Sequence, residues 1–142
     1  MVDMVHTARR SVRTRGQGDA HDLTPVVTEV IAEARVKNGL AAVSVVGSTA
    51  GITTIEYEPG AVWDLNNALE QLAPRDAEYR HHLRWGDDNG SSHARAALVG
   101  SSLALPIVGG ELAIGTWQQI TLVEFDTRPR QREIVVQVMG DA

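Results

Sequence analysis

The chain has 142 residues, a formal net charge of −5, no cysteine, and 43% hydrophobic against 22% charged residues. That length buries a core without metal or disulfide staples, and the missing cysteines exclude thiolate nucleophiles, Cys-ligated zinc and disulfides together. The negative balance argues against an electrostatic nucleic-acid binder, and no apolar run approaches the ~20 residues that span a bilayer.

In chain order, residues 1–22 read as an N-terminal strand and loop of one domain whose main body is 23–142. Residues 4–14 alternate loosely and predict a strand, with the polar RGQGDAHD as the loop behind it. The basic N-terminus lacks the apolar centre of a secretory signal, so the expected compartment is the cytoplasm. LTPVVTEVIAEARVKNG predicts a helix capped by Thr24, with Pro25 in its first turn, Val26, Val27, Val30, Ile31 and Ala34 on one face, and Gly39 as its stop. Lys37, the one lysine beside twelve arginines, then sits where a cation complements the helix dipole. GLAAVSVVGSTAGITTIEYEPG reads as two strands broken at Gly47–Gly51. AVWDLNNALEQLAP predicts a second helix, with Val62, Leu65, Leu69 and Leu72 on one side. Residues 79–100 carry turn chemistry and no periodicity. SLALPIVGGELAIG reads as a hairpin about Gly109-Gly110, with Pro106 marking an edge strand or bulge, and TWQQITLVEFD and REIVVQVMG complete about seven strands. The pattern predicts an α+β domain built on antiparallel sheet, with two main helices.

Chemistry-bearing residues concentrate in YRHHLRWGDDNGSSHARAALVG, which holds three of the five histidines. Neutral imidazoles and a carboxylate suit zinc, so His81, Asp87 and His93 are candidate ligands, while His82 reads as an exposed neighbour. Glu56 and Glu58, two apart in a predicted strand, point the same way and suit acid–base work or Mg²⁺. Asp64 in the first turn of the second helix is an acid favoured there by the dipole. The GSTAG turn can offer backbone N–H groups and the hydroxyls of Ser48 and Thr49 to a phosphate. Arg128, Arg130 and Arg132 are further anion candidates, and Trp117-Gln118 can stack on a flat ring.

The run from Ser101-Ser102-Leu103 through Pro106-Ile107 and Gly110 to Gly115-Thr116-Trp117-Gln118, with Thr49-Ala50, Glu56, Asp64, Tyr79-x-His81, Asp87-x-Asn89, His93, Glu124 and Arg130, resembles the YjbQ-like family. Its members are often labelled secondary thiamine-phosphate synthase. The resemblance covers about Leu23 to Gly140. It implies a β-sandwich-like single domain, a homotrimer, and weak transferase activity that joins hydroxymethylpyrimidine diphosphate to thiazole phosphate with loss of diphosphate. It further implies a small phosphorylated substrate and a divalent metal, zinc or Mg²⁺, held by His81, His93 and Asp87. Glu56 or Glu124 would accept a proton, Asp87 and Asn89 would position the metal or phosphate, and Trp117-Gln118 would line the ring pocket, with Ser48, Thr49, Asp64 and Arg130 also binding substrate. The same residues would serve a metal-dependent phosphohydrolase or a ligand-binding module without catalysis. Two departures bear on that site: the family's usual Pro-His before the Thr-Ala turn is Val46-Gly47, and its Asn before Glu56 is Ile55.

Overall fold

The computed structural model describes residues 4–142, so residues 1–3 of the expected N-terminal segment lie outside the described residues. Eight strands and four helices follow in the order β1 (Met4–Arg13), β2 (Ala20–Asp22), α1 (Thr24–Ala34), β3 (Asn38–Val45), β4 (Ala50–Ile55), α2 (Pro59–Leu72), α3 (Arg80–Trp85), α4 (Gly90–Val99), β5 (Ser102–Val108), β6 (Glu111–Leu112), β7 (Gln119–Glu124) and β8 (Gln131–Asp141). They form two antiparallel sheets, β1-β8-β3-β5-β6 and β2-β7-β4. This is the expected α+β sandwich.

Alternation builds the interior. Along β8, Arg132, Ile134, Val136, Val138 and Gly140 turn inward, and Ala41, Val43 and Val45 of β3 do the same. Those aliphatic side chains meet Ile52 of β4, Ile120 and Leu122 of β7, and the Val27, Val30, Ile31 and Ala34 face of α1. The smaller sheet is covered on its other face too, where Val123 and Phe125 pack with Leu69 of α2 and Ala96 of α4. Covered on both faces, β7 is buried from Ile120 to Glu124.

Several local expectations change. Helix α1 stops at Ala34, where Arg35 adopts a left-handed C-cap (φ 58°), five residues before Gly39. Gly39 instead lies in β3 opposite Gly140 of β8, and a β-carbon there would strike the Met139 carbonyl oxygen. Lys37 is therefore past the helix end, its backbone N–H donating to the Asp141 carbonyl at 2.7 Å. Thr24 does not cap α1. Its Oγ1 accepts from Ile120 N at 2.9 Å, while Asp22 Oδ1 accepts from Thr24 N at 2.9 Å. Helix α2 buries only Leu69 fully, and Leu72 is 71% exposed. The three-residue β2 lies inside the expected loop. The hairpin about Gly109 (φ 61°) and Gly110 (φ 84°) forms as read, with Ile107 opposite Leu112.

Residues 79–100 are not a loop but two helices. The buried side of α4 is Gly90, Ser91, Ser92, Arg95 and Ala96, so small and polar groups replace the apolar stripe that would have betrayed it. Gly90 lies so close to Tyr79 that a β-carbon would stand 2.5 Å from Tyr79 Cβ. Arg95 is 3% exposed, donating from Nε to the Ala73 carbonyl at 2.9 Å and from Nη2 to Glu70 Oε1 at 2.7 Å, and this clamps α4 to the end of α2. Burial opposes ionisation of Glu70, but the hydrogen bonds from Arg95 and Arg75 outweigh it and hold the carboxyl below its usual value. Among the described residues no helix is long and apolar enough to cross a membrane.

Candidate functional site

Two groups of expected site residues converge on the Gly47–Gly51 turn. One is an ionic cluster between the sheets. Glu124 of β7 is fully buried, and Arg132 reaches it from β8 through Nε at 2.8 Å and through Nη2. Thr14 Oγ1 donates to the same carboxylate at 2.7 Å, and Asp126 N donates at 3.0 Å. Thr49 Oγ1 accepts from Arg132 Nη2 at 2.7 Å and donates to Asp126 Oδ2 at 2.9 Å, which Arg130 Nε also reaches at 2.9 Å. Burial works against ionised Asp126, yet the hydrogen bonds from Thr49 and Arg130 prevail and lower its pKa. Thr49, Glu124 and Arg130 are thus brought together, but as an interlayer lock. The Glu124 oxygens are saturated by protein donors, which leaves no proton-acceptor role toward a substrate.

The other group is a histidine wing. The His81 and His93 rings lie 4.5 Å apart between centroids, tilted by 44°. His81 Nδ1 is 3.0 Å from Asp87 Oδ1, close enough for an ion pair when the imidazole is charged, although the two are not aligned as a hydrogen bond. With its amide nitrogen turned to Asp87, Asn89 donates to both carboxylate oxygens at 3.2 Å. Thr127 Oγ1 donates to Asp88 at 3.3 Å and ties this segment to the ionic cluster's loop. His82 is not an exposed bystander: its Nε2 accepts from Gly90 N at 3.1 Å and so caps α4. His93 opens onto a cavity of about 370 Å³ lined also by Gly47, Ser48, Ala50, Ala96, Ala97, Gly100 and Ser101.

His81, Asp87 and His93 do not fit a metal within one chain. Among the described residues no three His, Asp or Glu groups are placed to hold one ion. Nor would a histidine at position 47 fit this turn. Gly47 has φ +129°, and a β-carbon there would stand 2.8 Å from Arg132 Nη1.

The remaining residues lie elsewhere. Glu56 follows the end of β4 and faces a separate cleft of about 420 Å³ with Asp22, Tyr57, Glu58 and Trp117, the last 73% exposed. Glu58 does not share a strand with it but caps α2, accepting from Gly60 N and Ala61 N. Gln118 braces its own loop through Gly115 N at 2.9 Å and Thr54 Oγ1 at 3.3 Å. Gln119, which sequence reasoning passed over, holds the Glu56 turn by accepting from Tyr57 N at 2.8 Å. Ile55 is half-buried opposite Gln119, and Asp64 is exposed on α2. Sequence reasoning also missed Arg95 and named Arg132 only as one of three anion candidates, since burial alone distinguishes the two from ten other arginines.

The family model described as UPF0047 protein YjbQ-like matches residues 8–141. A UPF0047 protein of Methanocaldococcus jannaschii is 36% identical over 131 residues, spanning 92% of this chain and 91% of that one. A UPF0047 protein of Synechocystis is 35% identical over 131 residues, 92% of this chain and 88% of its own. Among solved structures, a YbjQ-like protein of unknown function from Sulfolobus solfataricus P2 superposes with a TM-score of 0.92 at 31% identity, covering 97% of this chain and 99% of that chain.

Breaking one side of the Glu124–Arg132 pair strands a buried charge. Arg132→Met should lower unfolding free energy by about 3–5 kcal/mol, and adding Glu124→Leu should recover much of that loss. Urea unfolding of the two single variants and the double variant gives the coupling, and additive losses would contradict the lock. The depressed Asp126 pKa gives stability that is fully present above the ordinary 3.8 and lost as pH falls through the lower folded value. The wild-type advantage over Asp126→Asn should therefore shrink below pH 3.8, read from melting curves recorded down the acid limb.

Proposed function

The chain belongs to the YjbQ-like UPF0047 family, and on that premise we propose that the His93 cavity binds a small phosphorylated molecule and assists departure of its phosphate group by proton transfer. One observation carries the reading. His93 is the single titratable side chain lining a cavity otherwise walled by small residues and the Ser48 and Ser101 residues, and its ring is backed by His81 with Asp87 beyond. Small residues leave room for a tetrahedral phosphate. Hydroxyls and turn N–H groups solvate it, and a braced imidazole donates a proton to the leaving oxygen.

The specific reaction we infer is the thiamine-phosphate synthase type that the resemblance implies. The carbon–oxygen bond of hydroxymethylpyrimidine diphosphate breaks, diphosphate leaves with a proton from His93, and the thiazole ring nitrogen forms the new carbon–nitrogen bond. No step is assigned to a metal. Turnover of the two precursors should fall on the order of 10²-fold in His93→Ala. Equal rates in wild type and variant would remove His93 from the chemistry. Binding of the diphosphate without product would identify a ligand-binding module instead.

We further propose that the chain forms the homotrimer the resemblance implies. Support comes from the outer face of the larger sheet, where Val5 (57% exposed), Met139 (38%) and Leu40 (44%) lie side by side across β1, β8 and β3 and continue to Pro106 of β5. A second copy covering this row would remove the apolar surface from water. Sedimentation equilibrium should return three times the 15.3 kDa chain mass, with Met139→Glu shifting the population toward monomer. A wild-type monomer would sink the proposal.

A further inference from the structure

We propose that Arg132 Nη1, uncovered because position 47 is glycine, is the oxyanion contact of the His93 cavity; this rests on the phosphate-binding reading above. Arg132 is 6% exposed and its other donors are committed, Nε and Nη2 to Glu124 and Nη2 also to Thr49 Oγ1. Among the described residues no hydrogen bond engages Nη1. Nη1 is not among the buried atoms without a partner, so it is a donor held rigidly by its neighbours' bonds and left open, a ready anion contact.

Its position relative to Gly47 gives the direction. A β-carbon on Gly47 would lie 2.8 Å from Nη1, and apart from Arg132 itself no atom beyond the turn lies within 4 Å of that point. The space a side chain would occupy is thus open at hydrogen-bonding distance from a cationic donor. Gly47 is exposed and lines the cavity with Ser48 and His93, so this space adjoins the cavity. An oxygen of a phosphate group there comes within hydrogen-bonding distance of the guanidinium, next to a cavity that His93 also lines. The two cations Arg130 and Arg132 are balanced by Glu124 and Asp126, which face the same cluster. Attraction therefore comes from the local donor and not from a positive field, so inorganic phosphate alone binds weakly and the rest of the ligand adds affinity. On this geometry, loss of the histidine that the resemblance puts at position 47 is tied to the opening of an arginine contact.

The probe is inorganic phosphate, titrated into the 142-residue chain at ionic strength fixed with chloride and followed by NMR of the arginine guanidinium and histidine ring signals. Arg95, the other buried arginine, is identified through Arg95→Lys. The expected result is movement of the Arg132 Nη signals, with phosphate affinity falling about tenfold in Gly47→Ala. Movement of the His93 signals with Arg132 unmoved would overturn this inference while leaving the phosphate pocket standing. Absence of any response would overturn both. The wild-type spectra decide the matter even if Gly47→Ala, strained at φ +129°, fails to fold.

Discussion

The buried Glu124–Arg132 pair is the constraint around which the rest is arranged. Each partner belongs to a different sheet, so the pair fixes how β7 and β8 sit relative to one another at one end of an otherwise aliphatic core. Its cost in desolvation is met by full use of the carboxylate: two arginine donors, a threonine hydroxyl and a backbone N–H. Through Thr49 the same guanidinium orients the turn between β3 and β4, and through Asp126 it reaches Arg130. The cavity wall at Gly47 and Ser48 is thus held by ionic interactions beneath it.

Helix α4 delivers the other wall. Its buried face is made of Ser91, Ser92, Arg95 and small residues, and it stays in place through the Arg95 clamp and the His82 and Asn89 contacts at its start. A helix held this way can present His93 to a cavity without a bulky apolar neighbour beside the ring. The Sulfolobus solfataricus structure shares this architecture across 99% of its length.

Legibility in the sequence followed burial. Where a segment has one apolar face, as in α1 or β8, the period of the aliphatic residues predicts the element and its inward side. The hairpin at Gly109-Gly110 was equally plain because two consecutive positive φ angles demand glycine. Helices α3 and α4 of the histidine stretch read as loop in the sequence, since α3 buries no residue and the small and polar buried face of α4 carries no hydrophobic period. Among the site residues, His81, His93, Asp87 and Asn89 do assemble, and Thr49, Glu124 and Arg130 do meet. Glu56 and Trp117 share a cleft of their own.

The sequence by itself determined the chain's class, its family and the identity of its polar residues, because composition, turn glycines and motif order are local properties. Only the tertiary structure decided their roles. Whether Glu124 is a base or an interlayer anchor depends on what Arg132 from the other sheet and Thr14, 110 residues away in the chain, bring to its oxygens. Whether position 47 is a lost ligand or an opening depends on a guanidinium 85 residues later standing 2.8 Å from where its β-carbon would be.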